Sequence, residues 1–324
     1  MNLNIKLDPR AAAILGALIA DSASLGLHWL YDSERIAQIE KTKGLTFLQP
    51  DANDYTGGSG YFAHGGKTMG DASGYGELCL LMLRHFAQHD EFDRIAYQTE
   101  YRDYLGPGGA YVGYVDSPTR QTLQALLALK PEEFPEYSGA DDDQFAALAT
   151  IPVVVATHAG SQQALMTQIE RVVRLTNHND TAVAAAQYAG CVLFNILHGK
   201  SIVEALVGAL PSAGEKLALL VEESLQTCIL NSATIAQRFG TACHVLEGVP
   251  VIAHIVRYAP DYRTAIEENI RIGGDSCGRA IMLGAIMAAH AVQQDQPFAS
   301  IPLEWAARYR NLVAAADACG VIRL

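Results

Sequence analysis

The sequence predicts an all-α fold built as one multi-helix bundle. Three observations carry this. Apolar residues recur at helical spacing through most of the 324 residues. Alternating, strand-like runs are few, and no convincing hairpin turn interrupts them. No linker of changed composition divides the chain, so residues 1–324 read as a single domain around one core.

In residues 10–31, Ile14, Leu15, Leu18, Ile19, Leu25 and Leu27 interleave with alanine and glycine, a pattern that suits a helix buried on more than one side. Asp21 lies in the middle of it, and an acid there has to be paired, hydrogen-bonded or lining a cavity. His28-Trp29-Leu30-Tyr31-Asp32 follow. They read either as a helix end, with Asp32 or Ser33 capping the next helix, or as a cluster of ligand contacts. From 41 to 74 glycine stands at 44, 57, 58, 60, 65, 66 and 70 without sustained periodicity. Structureless segments of that length are usually lids, binding loops or disordered. Tyr55, Tyr61, Phe62 and His64 supply aromatic anchors, which favours an ordered loop beside a site. Helix resumes at Leu78 through Phe86, after Ser73-Gly74-Tyr75-Gly76-Glu77.

An amphipathic helix over Phe92–Leu105 leads into a second glycine and tyrosine loop, Gly106–Asp116. Ser117-Pro118 then reads as a capping hydroxyl followed by proline at the first helical position. Asp141-Asp142-Asp143 before Phe145–Ala156 suits an acidic helix start, which the macrodipole favours, and reads as a solvated capping cluster rather than a metal site. Residues 176–198 form another small-residue helix entered through His178, Asn179 and Asp180. Further helices are expected near 202–210, 213–230, 232–239, 241–258, 261–271 and 303–318.

The stretch that organises the rest is 269–291, NIRIGGDSCGRAIMLGAIMAAHA. Gly273-Gly274 permits a tight turn and close backbone approach, and Asp275 or Ser276 can cap the helix that follows. Ile281, Met282, Gly284, Ala285, Ala288 and Ala289 are too small and apolar for a surface helix. A buried helix then presents a carboxylate, a hydroxyl and a thiol at its open end. Taken alone, the same residues also suit a well-capped core helix without chemistry.

Composition narrows the function. A net charge of −12 and no cluster of Lys and Arg argue against a nucleic-acid surface. The apolar runs are broken or bounded before about 18 residues, so no membrane span is expected, and the N-terminus lacks a secretory pattern. Six cysteines, at 79, 191, 228, 243, 277 and 319, show no CxxC or Cys/His spacing. They read as reduced, mostly buried thiols of a cytoplasmic protein.

Taken together, GALIADSASLG near the N-terminus, the acidic helix start after the first long loop, Thr176 and His178 before a small-residue helix, and the Gly273–Ala289 segment resemble the ADP-ribosylglycohydrolase family. That family includes the dinitrogenase-reductase-activating glycohydrolases, and the resemblance covers most of the chain. It implies an all-α bundle that uses two magnesium ions to cleave the bond between ADP-ribose and an acceptor. The family typically supplies the ligands from a Thr-Asp-Asp motif at one helix start and an Asp-x-Asp-Thr motif after Gly-Gly at another. Here Asp275 keeps the first aspartate, whereas Cys277 and Gly278 replace the second aspartate and the threonine. At the other motif Tyr75-Gly76-Glu77 retains one carboxylate, and an alternative register uses Asp71. Magnesium requires several oxygen ligands and does not favour thiolate, so at most one well-neutralised ion is expected, on Asp275 and Glu77. HWLYD, SGYGE and GGDSCGR together resemble the crystallin-like branch of the family, with the J-type crystallins and selenoprotein J, whose metal motifs are similarly altered.

Two functions follow as expectations. One is hydrolysis of an ADP-ribosyl N- or O-glycosidic bond, with Asp275 and Glu77 holding a metal or acting directly as carboxylate acid and base. In that reading His28, Trp29, Tyr31, Tyr75, Ser276 and Cys277 face an ADP-ribose-like ligand, Asp21 orients a polar group and Arg279 meets a phosphate. The other is a non-catalytic binding or structural protein that has lost the dinuclear centre. A third reading makes Cys277, on a helix first turn near Arg279, a low-pKa thiol, against the simpler role of a small residue filling the vacated space.

Overall fold

The computed structural model describes residues 8–227, 231–296 and 300–322. Among the described residues every regular element is helical, and extended backbone pairs only in isolated bridges such as Leu30 with Gly60 and with Gly274. The helices are α1 Pro9–Ser24, α2 Ser33–Lys43, α3 Gly74–Gln88, α4 Arg94–Leu105, α5 Ser117–Leu126, α6 Ile151–Thr157, α7 Gln162–Val173 and α8 Asp180–Leu197. They continue as α9 Ile202–Gly208, α10 Gly214–Gln226, α11 Ser232–Phe239, α12 Val245–Tyr258, α13 Tyr262–Ile272, α14 Ser276–Gln293, α15 Leu303–Ala306 and α16 Leu312–Val321.

The fold is built on α1 packed along α14. Small residues make this possible: a Cβ on Gly16 would stand 2.5 Å from the Gly284 carbonyl oxygen, so the two backbones touch where neither carries a side chain. Both helices are buried over nearly their whole length, as the small, apolar residues of both segments require. Around the pair pack α3, α6, α8, α12 and α13, and the buried apolar residues form one continuous cluster. Among the described residues two helices, α1 with its extension to Leu27 and α8, are long and apolar enough to cross a membrane, contrary to the expectation for the apolar runs; most of each lies inside the protein core. Cys79, Cys191, Cys277 and Cys319 are buried free thiols, Cys243 is partly buried and free, and Cys228 lies outside the described residues.

Several helix boundaries differ from the sequence reading for identifiable reasons. The expected helix over 10–31 ends at Ser24, passes through a 3₁₀ turn at Leu25–Leu27, and becomes an extended strap. Asp32 caps α2, its Oδ1 accepting from Arg35 N at 2.9 Å. Before α5 the cap is Asp116 rather than Ser117, because the Asp116 carboxylate reaches Thr119 N at 2.9 Å. The segment 145–156 is split into a 3₁₀ turn, Phe145–Leu148, and α6, and Asp142 closes the preceding turn on Gln144 N. The final helix expected over 303–318 is two short helices, α15 and α16.

Candidate active site

The strap Trp29-Leu30-Tyr31 brings two distant segments together. Trp29 N donates to Gly274 O at 2.8 Å, and Gly274 N returns a bond to Leu30 O at 2.7 Å. On the other edge Tyr31 N donates to Ser59 O at 2.8 Å and Tyr61 N to Trp29 O at 2.9 Å. The glycine-rich loop and the Gly-Gly turn are thereby held on either side of one extended segment. Both turn glycines have positive φ, 76° at Gly273 and 65° at Gly274, which explains the pair: glycine alone adopts this conformation without strain. Trp29 also has a positive φ, 65°, a conformation that costs a bulky residue about 1–3 kcal/mol and is concentrated at functional sites.

Asp275 caps α14 and is fully buried. Its Oδ1 accepts from Gly278 N at 2.8 Å and from His28 Nε2 at 3.0 Å, and its Oδ2 accepts from Tyr75 OH at 2.8 Å. Burial alone would raise this carboxyl, but the His28 charge and the three donors outweigh it and hold it below the ordinary carboxylate range. His28 Nδ1 lies 2.7 Å from His64 Nε2. Trp29 packs against this pair, its ring 4.3 Å from His28 and 6.2 Å from His64, with Tyr114 edge-on at 5.1 Å and Tyr61 at 6.0 Å. Tyr31 is 38% exposed, and burial followed by the Asp275 charge pushes its phenol up to about 12, so it remains a neutral hydroxyl beside that carboxylate.

Asp275, His28 and Tyr75 thus meet directly, with Trp29 and Tyr31 around them. The other expected site residues act behind this group or elsewhere. Asp21 accepts from Ser73 N at 2.8 Å and from Ser73 Oγ, and Ser73 in turn caps α3. It therefore holds the helix that carries Tyr75 instead of meeting a ligand. Arg279 is fully buried; it donates to Asn269 Oδ1 at 2.8 Å and to the carbonyls of Asn269, Gly273 and Thr241. Its guanidinium clamps the Gly-Gly turn, which corrects the expectation of a phosphate contact. Ser276 Oγ is buried without a partner among the described residues, while Ser276 O accepts from Asn269 Nδ2 at 2.7 Å. Cys277 Sγ lies 3.5 Å from Asp21 O; burial, then the charges of Asp21 and Asp275, raise its thiol well above the ordinary value. Full burial favours the simpler role for Cys277, a small residue filling space, over that of a low-pKa thiol. Thr176 Oγ1 donates to Asn177 at 2.9 Å, and His178 stacks on Tyr137 with ring centres 5.1 Å apart.

Glu77 is a further correction. Its Oε1 pairs with Lys67 Nζ at 3.1 Å and its Oε2 accepts from Tyr104 OH at 2.7 Å. It shares no partner with Asp275. Asp71, the other register, closes a turn on Thr68 N at 2.7 Å and pairs with Arg310 at 3.5 Å. Another buried carboxyl, Asp116, is raised by burial, then by the charges of Asp142 and Asp275. The sequence reading missed it because Asp-Ser-Pro carries an ordinary capping signal, and it missed Lys67 because a lone lysine in a glycine-rich loop has no pattern. In the sequence His64 reads only as an aromatic anchor.

Asp21 carries a pH signature. Burial raises its carboxyl to about 6 against the hydrogen bonds from Ser73. Because the folded state binds this proton more tightly than the unfolded chain does, its contribution to stability is fully present below pH ~4 and is lost as pH rises to about 6. The shift corresponds to on the order of 3 kcal/mol. Urea unfolding of Asp21→Asn, compared with the parent between pH 4 and pH 7, should lack this downward slope; an identical slope in both proteins would remove Asp21 as its origin.

A match to the model of ADP-ribosylglycohydrolases extends over residues 4–322. The chain belongs to the ADP-ribosylglycohydrolase family. Among curated relatives, Crystallin J1A of Tripedalia cystophora is 28% identical over 311 residues, covering 93% of this chain and 92% of that protein. Crystallin J1B of the same organism is 26% identical over 312 residues, with 93% and 92% covered. A solved structure described as an ADP-ribosylglycohydrolase-related protein complex aligns with a TM-score of 0.71 over 97% of this chain and 96% of that one, at 15% identity, a likeness in fold.

For a member of this family, the question is whether the site fits magnesium. Magnesium demands near-octahedral oxygen ligands and retains several waters. Here the Asp275 oxygens accept from three protein donors, and Glu77 is already neutralised by a buried ammonium. An ion between them would meet one paired carboxylate and the repulsion of Lys67, so these residues do not fit a magnesium centre. Among the described residues, metal-type donors converge at His85, His89 and Glu100, ten residues along α3 from Tyr75 and therefore about 15 Å away. There His85 Nδ1 and His89 Nε2 lie 2.9 and 3.1 Å from the two Glu100 oxygens, and Asp93 N donates to His85 Nε2 at 3.2 Å. Accepting at Nε2 makes Nδ1 the protonated nitrogen of a neutral His85. The group is a satisfied tie between α3 and α4, without a free lone pair on His85 for a cation.

Proposed function

We propose that the protein hydrolyses a glycosidic bond of an ADP-ribosyl group using two carboxyl groups, Asp116 and Asp275, in place of a dinuclear magnesium centre. Membership of the family supports the substrate class. The observation that supports the mechanism is the buried Asp275 carboxylate, fixed by donors from His28 Nε2, Tyr75 OH and Gly278 N, together with Asp116, whose carboxyl is raised by burial and by neighbouring charge. Pairs whose environments separate their pKa values divide the work of acid and base. Asp116 is the proton donor to the departing acceptor group, and Asp275 is the fixed negative charge that steadies the positive character developing on the ribose. Trp29, Tyr61 and Tyr114 supply aromatic surface for the ligand.

The second reading, a binding protein without turnover, is favoured by the two crystallins among its relatives. Both readings keep the ligand site and dispense with magnesium. Calorimetric titration of ADP-ribose should therefore give the same affinity with magnesium and with chelator. Binding that strengthens with magnesium would show that Asp275 still takes part in a metal site. No binding in either buffer would leave the family likeness as one of fold.

A further inference from the structure

Asp275, His28, Tyr75 and His64 are each no more than 4% exposed, although both functional readings bring a ligand to this group. One wall of the enclosure is thin, residues 57–66 of the glycine-rich loop. The loop is anchored on either side of that stretch. Before it, Tyr55 OH donates to His28 O at 2.7 Å. After it, Lys67 Nζ pairs with Glu77 at 3.1 Å, and the Gln49 side chain bonds Lys67 O and Met69 N. Between the anchors glycine stands at 57, 58, 60, 65 and 66. Gly57 has a φ of 78°, and a Cβ there would meet nothing within 4 Å; at Gly66 it would meet only Val112 Cγ1, at 3.7 Å. Both ends of the stretch are therefore free to turn. Little holds it down: Ser59 O accepts from Tyr31 N, Tyr61 N donates to Trp29 O, the Phe62 ring lies 5.3 Å from that of Tyr55, and His64 sits against His28 at 2.7 Å. Within the stretch only His64 is buried.

We propose that residues 57–66 are a lid, hinged at Gly57 and at Gly65-Gly66, whose opening lifts His64 off His28 and admits a ligand to His28, Trp29 and Asp275. This rests on the ligand site that both functional readings share, and not on turnover. It holds whichever imidazole nitrogen carries the proton between His28 and His64. Opening breaks the bonds on one edge of the Trp29-Leu30-Tyr31 strap and leaves the other edge intact, where Trp29 N donates to Gly274 O and Gly274 N to Leu30 O. Access to the site then scales with the fraction of molecules whose lid is open. Gly60 is the residue that lets the lid seat. A Cβ there would stand 2.9 Å from Trp29 O, 3.0 Å from Tyr55 Cδ1 and 3.2 Å from Leu30 Cα. Its backbone does not require a positive φ, so alanine is accommodated when the lid is raised and crowded only when it is down. Gly60→Ala therefore favours the open lid and leaves the side chains of the site unchanged.

Amide hydrogen exchange of the full chain, read residue by residue by NMR, tests the motion without a variant or a ligand. Corrected for intrinsic rates, the Tyr31 and Tyr61 amides on the lid edge should be protected about tenfold less, or weaker still, than the Trp29 and Gly274 amides on the opposite edge of the same strap. Equal protection on the two edges would overturn the proposal. Access is read from the rate at which diethyl pyrocarbonate modifies His28, located by mass spectrometry of peptides. Gly60→Ala should raise that rate about tenfold, and an unchanged rate at His28 would equally overturn the proposal, because a raised lid would then not uncover the site. Calorimetric titration of ADP-ribose separates the two failures. A parent protein that does not bind ADP-ribose sinks the ligand reading, while exchange at the strap and modification of His28 still decide the lid. A parent that binds it, with His28 no more reactive in Gly60→Ala, sinks the lid alone.

Discussion

Asp116→Asn should reduce release of ADP-ribose about 10²–10⁴-fold, the usual contribution of a positioned acid, with little change in unfolding temperature. The substitution is chosen for its structural neutrality. Asp116 caps α5 through an Oδ1 that accepts from Thr119 N at 2.9 Å, and asparagine caps a helix as well as aspartate does. What it removes is the ionisable proton, which burial and neighbouring charge make this carboxyl hold more tightly than an ordinary aspartate does. The decisive comparison is the pH profile. In the parent, turnover should fall on the alkaline side as Asp116 ionises, and this limb should be absent from the residual activity of the variant. An Asp116→Asn protein with full activity would return the acid role to another group.

The second large effect is on stability. Glu77→Ala leaves the Lys67 ammonium, 7% exposed, without its carboxylate and deprives Tyr104 of its acceptor. Breaking a buried pair in this way costs about 3–5 kcal/mol. The cation over the Tyr111 ring, 5.0 Å from its centre, offsets only a small part of it. Urea unfolding should show this loss, and replacing Lys67 with methionine in the same protein should recover much of it, because the uncompensated charge is then gone. A metal-ligand role makes the opposite forecast: Glu77→Ala would change stability little and would abolish a magnesium-dependent increase in ADP-ribose affinity.

The helical framework was legible because it rests on local signals. The small residues of 10–24 and 276–293 announce the α1–α14 contact, and Gly273-Gly274 before Asp275 announces a turn and a cap; the positive φ of both glycines and the Asp275 bond to Gly278 N are what those residues are for. HWLYD was legible as a dense cluster, although its extended backbone was not, because the turn at Trp29 depends on bridges to Gly60 and Gly274 from either side. The assignments that failed depend on partners distant in sequence or on side-chain direction. Glu77 and Tyr75 stand two residues apart at the start of one helix, yet Tyr75 reaches Asp275 and Glu77 reaches Lys67 and Tyr104. Arg279 follows the same turn as Asp275 but points back at its carbonyls. Asp116 and His64 come under the influence of Asp275 and His28 only in the folded chain, and nothing in their own neighbourhoods distinguishes them from a cap and a loop aromatic.

The most direct test of the proposed carboxyl-driven, magnesium-independent hydrolysis is the rate of ADP-ribose release from an ADP-ribosylated protein, with the same protein preparation in excess chelator and in magnesium. Equal rates in the two buffers, both abolished by Asp275→Asn, are the predicted result. Release that occurs only with magnesium would contradict the account, because it would require a metal centre for which Asp275 and the Lys67-paired Glu77 are the wrong ligands.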